Sequence, residues 1–114
     1  VVYVTQLDND YWQPFLPFVD VISLWMSESD IPNLEDSVDK CHQVFPAKRV
    51  SVGSYIREYH EMRPVRLKLI EQQYEIMYRL WTEGRIDGYN ILSANAIDGA
   101  VAECEWIRDF IAAH

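Results

Sequence analysis

The sequence predicts a mainly α fold, with α+β as the alternative: a single compact domain over residues 1–114, with about five helices and two or three very short strands. Three observations predict it. Leu34, Val38, Cys41 and Phe45 recur at helical spacing, and so do Leu67, Ile70, Tyr74, Met77 and Trp81. The chain is about half apolar and one quarter charged, the balance of a folded globular chain. Only four glycines and five prolines interrupt it, and several stand where helices start or stop.

Val1 to Thr5, β-branched around Tyr3, reads as a short strand that Asp8-Asn9-Asp10 ends with turn chemistry. Pro14 suits the first turn of a helix running to about Met26, with Phe15, Phe18, Val19, Ile22, Trp25 and Met26 as its broad apolar face. Asn33, followed by acids in the next turn, caps the helix that carries the first stripe, and Pro46 stops it. Lys48 to Val52 alternates as a second strand ended by Gly53. Ser54 caps a helix from Tyr55 to Met62, which Arg63-Pro64 halts.

The clearest element runs from Pro64 to Glu83 and closes at Gly84. Its apolar arc covers more than half the circumference, so it belongs at the centre. Gln73 lies inside that arc, and a buried amide must find partners in the core or at an interface. Tyr89 to Leu92 is a strand or extended segment. Asn95 caps the last helix, to about Ala113, with Ile97, Ala100, Val101, Cys104, Ile107 and Ile111 inward. The last two long helices are expected to form an antiparallel pair.

Charge is distributed in blocks. Residues 1–45 hold eight acids against Lys40, residues 46–86 hold eight bases against five acids, and residues 87–114 hold five acids against Arg108, for a net −8. Such a balance disfavours nucleic acid, because phosphate neutralisation supplies most of that affinity. The basic middle (Lys48, Arg49, Arg57, Arg63, Arg66 and Lys68, interleaved with Tyr55 and Tyr59) is expected to pair with the acids of the same fold, nucleic-acid binding being the lesser alternative. No apolar run is long enough to span a membrane, and no leader-like segment opens the chain. Cys41 and Cys104 sit in no paired motif and read as buried free thiols, which points to a reducing, cytoplasmic compartment.

Chemistry-bearing clusters are sparse. Glu58, His60 and Glu61 come nearest to an acid–base or metal cluster, but a metalloprotease helix needs two His one turn apart. Asp8 and Asp10 lack the further ligands of a calcium loop. Cys41 and His42 diverge by about 100° on a helix and cannot pair. No cofactor, metal site or catalytic residue is expected, and the chain is read as a non-enzyme.

On the last helix, Trp106 and Phe110 lie one turn apart on a second face, flanked by Asp98, Glu105 and Asp109. They are either core contacts of a sandwiched helix or aromatic anchors with an acidic rim. The expectation drawn is a small acidic protein-interaction module: an inhibitor, an immunity-like factor or an assembly subunit. It would bind a protein with a basic surface through Trp106, Phe110, Asp98, Glu105 and Asp109, with self-association as a second option. The alternatives are a small helical enzyme using the Glu/His cluster and a nucleic-acid binder using the basic middle.

Overall fold

The computed structural model describes residues 1–26, 31–58, 63–91 and 102–114. Its elements run β1 (Val2–Tyr3), a 3-10 turn at Val4–Gln6, a longer 3-10 segment at Asp10–Phe18, β2 (Val21–Trp25), a 3-10 turn at Ile31–Asn33, α1 (Leu34–Val44), β3 (Arg49–Ser54), β4 (Arg57–Glu58), β5 (Arg63–Pro64), α2 (Leu67–Thr82), β6 (Gly88–Ile91) and α3 (Ala102–Ala113). Strands β1, β2, β3 and β6 form one sheet in that order, and every pairing is parallel. Strands β4 and β5 make a separate antiparallel pair.

The fold is therefore α/β, and the expectation of a mainly α domain is overturned. The decisive difference lies at residues 10–25. A helix to Met26 was expected there. Instead a 3-10 segment carries both Pro14 and Pro17, and β2 follows it. Pro17 has no N–H to give a continuing α-helix. The β-branched pair Val21-Ile22 then favours extension. Phe15 and Phe18, expected to face inward, are among the most exposed large side chains. The burial of Ile22, Leu24 and Met26 follows a period of two.

The helix expected from Tyr55 to Met62 is also absent from its described part. Strand β3 continues through Ser54, and the backbone of Arg57 and Glu58 pairs with that of Pro64 and Arg63. Residues 59–62 lie outside the described part of the chain. The last two helices are not antiparallel. Tyr74 packs against Trp106 and Phe110, while Tyr78 packs against Phe110 and His114, so the two helices advance in the same direction. The reason is β6, which passes between them parallel to β3 and returns the chain to its starting end.

Strands laid side by side in chain order, joined by right-handed crossovers, put their connecting helices on one face. Burial agrees. Ile22, Leu24, Val50 and Val52 are covered, together with Val38, Cys41 and Phe45 of α1 and Ile70, Tyr74 and Met77 of α2. The hydroxyls of Ser54 and Tyr74 meet at 3.2 Å across the strand–helix layer. Gln73, buried as its position in the apolar arc requires, uses its amide on the backbone of Tyr55. Its Oε1 accepts from the Tyr55 N–H at 3.3 Å, and its Nε2 donates to the Tyr55 carbonyl at 3.2 Å.

Among the described residues, Arg79, Arg85 and Lys40 pair with acids of the same fold, whereas Lys48, of the six bases named above, spends its ammonium on backbone carbonyls. Arg85 donates to Asp39 at 2.7 Å and also to Glu35, and Arg79 donates to Glu35 at 2.6 Å. The ring Nε2 of His42 donates to the Arg85 carbonyl. Together these contacts fasten the outer face of α1 to the end of α2. Lys40 meets Asp8, and Lys48 donates to the carbonyls of Leu16 and Val19, which secures the 3-10 segment ahead of β2.

Hydrogen bonds from Arg79 and Arg85 hold the Glu35 carboxyl at about 2, below its ordinary 4.5. A depressed acid contributes stability above its unfolded value and loses it as pH falls through the folded one. Thermal unfolding should show part of the acid loss between pH 4.5 and about 2 arising from Glu35; in Glu35→Gln this part disappears and the neutral-pH midpoint drops. Gln73→Leu should destabilise the chain by about 2–4 kcal/mol in urea titration, because it strands two buried backbone groups.

Candidate functional site

Among the described residues, one face of the sheet is lined by helices. On the opposite face, the alternation that buries Ile22, Leu24, Val50 and Val52 presents Val21, Ser23 and Trp25 from β2, and Arg49, Ser51 and Gly53 from β3. The register places these side chains in rows. Tyr3, Trp25, Gly53 and Asn90 are neighbours across all four strands, at or next to the carboxyl ends. One step back, Ser23 stands beside Ser51, and Ser51 beside Gly88.

Trp25 defines the local shape. A Cβ built on Gly53 would lie 2.2 Å from the indole ring, so the indole lies flat over that glycine. Its Nε1 donates to Ser23 Oγ at 3.0 Å, which fixes the ring along its own strand. The Tyr55 ring meets it edge-on with centroids 5.4 Å apart, and the Tyr55 hydroxyl donates to the Met26 carbonyl at 3.0 Å. Across the glycine, Asn90 Nδ2 donates to Ser51 Oγ at 3.0 Å, and the Asn90 carbonyl accepts from Ser54 Oγ at 2.7 Å. Tyr3 is 48% exposed at the end of β1 and Asn90 is exposed on β6. The result is a neutral row across the sheet, with Tyr3 and the indole on one side of Gly53 and the Asn90 amide on the other.

The residues singled out on α3 lie elsewhere. Phe110 is buried, and Trp106 is half-buried and stacked on Phe110 at 5.0 Å, with both rings against Tyr74. Their second face is explained by packing on α2. Glu105 and Asp109 are exposed on α3, with Asp109 3.5 Å from Arg108, while Asp98 lies outside the described residues. A groove of about 450 Å³ runs beside this helix, lined by Ile56, Ile91, Cys104, Glu105, Ile107, Arg108 and Ile111.

His60 and Glu61 lie outside the described residues, and Glu58 is described only as backbone in β4. Among the described residues, no group of three or more His, Cys, Asp or Glu is placed to hold a metal ion. Both cysteines are buried and unbridged. Burial pushes the Cys41 thiol up to about 11 and the Tyr74 hydroxyl up to about 12, which suits packing groups and not nucleophiles. No described helix is long and apolar enough to cross a membrane.

Compared with protein-family models, curated proteins and solved structures, the chain finds no match.

No motif in the sequence marks this row, because serine, glycine and asparagine form none there and Trp25 reads as part of a helical face. Its signal was the period-two alternation of Val21 to Met26 and of Arg49 to Ser54. Gly53→Ala should force the indole off the sheet. Expected are a loss of about 1–3 kcal/mol in chemical denaturation and a red-shifted tryptophan emission, the shift vanishing when Trp25→Phe is the background.

Proposed function

We propose that the chain works as a protein-association module of the assembly-subunit kind, and that its partner through the sheet is a second copy. The observation that carries this reading is the uncovered face of an all-parallel sheet. Parallel sheets are found with both faces covered, either by helices on two sides or by closure of the sheet upon itself. Among the described residues, one face has no covering layer, and Val21 is 41% exposed on it. The outer edges of β1 and β6 have no strand beside them among the described residues.

A second copy meets these needs with one operation. Four parallel strands with helices on one face amount to half of an eight-stranded closed barrel. A twofold axis sets β6 of each copy beside β1 of the other, in the parallel sense both edges offer. Charge supports the same contact. The net −8 opposes most mutual approaches of two copies. The residues named on the open face include no acid, and Arg49 is their one charge. The outer acidic helices are then left for a further protein with a basic surface. A reducing cytoplasmic setting suits the two unbridged thiols.

Sedimentation velocity over a micromolar concentration series tests the reading. The expected species is a dimer, and Val21→Asp should shift it to monomer with an unchanged far-ultraviolet spectrum. A chain that remains monomeric throughout, or a dimer indifferent to Val21→Asp, would count against it.

A further inference from the structure

We infer that the 3-10 segment Asp10–Phe18 is the docking surface for the further, basic protein, and that it takes an amphipathic helix whose aliphatic face is bordered by lysine or arginine. The inference rests on the reading of the chain as an association module, but the surface lies apart from the sheet face that two copies share. Tyr11, Phe15 and Phe18 are exposed, Phe15 at 59% and Phe18 at 86%. Trp12, Leu16 and Val19, each next in sequence to one of them, pack on the core instead. Asp8, just ahead of the segment, pairs with Lys40 of α1, on the helix side of the sheet.

The fold does not need these three rings outside. The inner side chains already anchor the segment, and hydrogen bonds hold its backbone along its length. Asn9 Oδ1 accepts from the Tyr11 N–H at 3.2 Å, and Trp12 Nε1 donates to the Gln6 carbonyl at 3.3 Å. Lys48 Nζ donates to the carbonyls of Leu16 and Val19 at 2.8 and 2.7 Å. Pro14 and Pro17 fix two further backbone angles. A segment held in this way loses little freedom when a partner settles on it. Large apolar side chains gathered on such a surface mark an interaction site. The stretches outside the described residues follow the carboxyl ends of β2, β4 and β6, whereas Phe18 stands ahead of the amino end of β2.

Charge and shape decide the partner. Asp10 and Asp20 bracket the exposed rings, and both are exposed and enter no ion pair among the described residues. Residues 8–20 contain three acids and no base. Lys48, the cation beside the segment, is half-buried and turned onto its carbonyls. A second copy would set these acids against their like, and an anionic lipid surface would meet the same repulsion. A basic protein finds aromatic anchors at the centre and carboxylates at the rim. Pro14 and Pro17 have no N–H, so the segment makes a poor strand edge and recognition falls to side chains. Tyr11 to Phe18 spans about 14 Å at the rise of a 3-10 helix, the length of two to three turns of an apposed α-helix.

The test titrates the full chain, labelled with 15N, with a synthetic helical peptide carrying leucine on one face and lysine on the other. Expected are shifts centred on the backbone amides of Tyr11, Phe15, Phe18 and Asp20. Phe18→Ser, a change at an exposed side chain, should weaken binding at least about tenfold while leaving the rest of the spectrum in place. Asp20→Asn should weaken it about threefold and flatten its dependence on salt. The same peptide with glutamate for lysine should leave the amides unmoved. The inference is overturned if the lysine peptide moves none of them, if the glutamate peptide binds as well, or if Phe18→Ser or Asp20→Asn binds like the parent. It is overturned too if phosphatidylcholine vesicles shift these amides and the lysine peptide does not. Self-association is scored by Val21→Asp and peptide binding by Phe18→Ser, so a monomeric chain that binds the peptide and a dimer that ignores it are told apart.

Discussion

The side-chain amide of Gln73 is the contact on which the functional end of the molecule depends. It pairs with both backbone groups of Tyr55 and so behaves like one more strand residue reaching in from α2. Tyr55 stands immediately beyond β3, where the sheet ladder gives out and a buried backbone would otherwise lack partners. With its backbone held, Tyr55 can tie its hydroxyl to Met26 and set its ring against Trp25. One buried amide thereby fixes the ends of two strands and the indole that lies over a third residue, Gly53. A hydrophobic residue at position 73 would fill the space and release the chain.

The helix layer is organised around a different constraint. Tyr74 sits at the meeting point of β3, β6, α2 and α3, touching Ser54, Tyr89, Trp106 and Phe110. Burial raises the cost of ionising it, and its hydroxyl is committed to Ser54. The edge-on ring packing around it accounts for the aromatic content of α3. On the outside, Glu35 receives hydrogen bonds from both Arg79 and Arg85 and closes α1 against α2 at the far end of the same layer.

Helices α1 and α2 were legible because their apolar residues repeat at helical spacing and their ends carry recognisable signals, Asn33 before one and Gly84 after the other. The β1 and β3 strands were legible in part, from β-branched residues and alternation. Strand β2 was not, because Phe15, Phe18, Val19, Ile22 and Trp25 mimic a helical face when read through two prolines. That single difference hides the parallel sheet, since β2 is one of its two interior strands and joins β1 to β3. The need for Gln73 to find buried partners was visible in the sequence, though Tyr55 was not. The row across Trp25 and Gly53 is invisible in the sequence for a physical reason: a row of Ser, Gly and Asn acquires its character from register, which only pairing reveals.

The chain-order sheet carries a consequence for how such a molecule can change over generations. Within the four-stranded sheet the strands lie side by side in chain order, with β4 and β5 set apart as their own pair, and α2 lies beside both α1 and α3, much as in a repeat protein. Growth by duplication of a strand–helix unit would then meet an edge already shaped to receive it, without rebuilding the layer beneath Tyr74. Lineages built this way can lengthen by whole units, and the indole seated on Gly53 would be inherited unchanged.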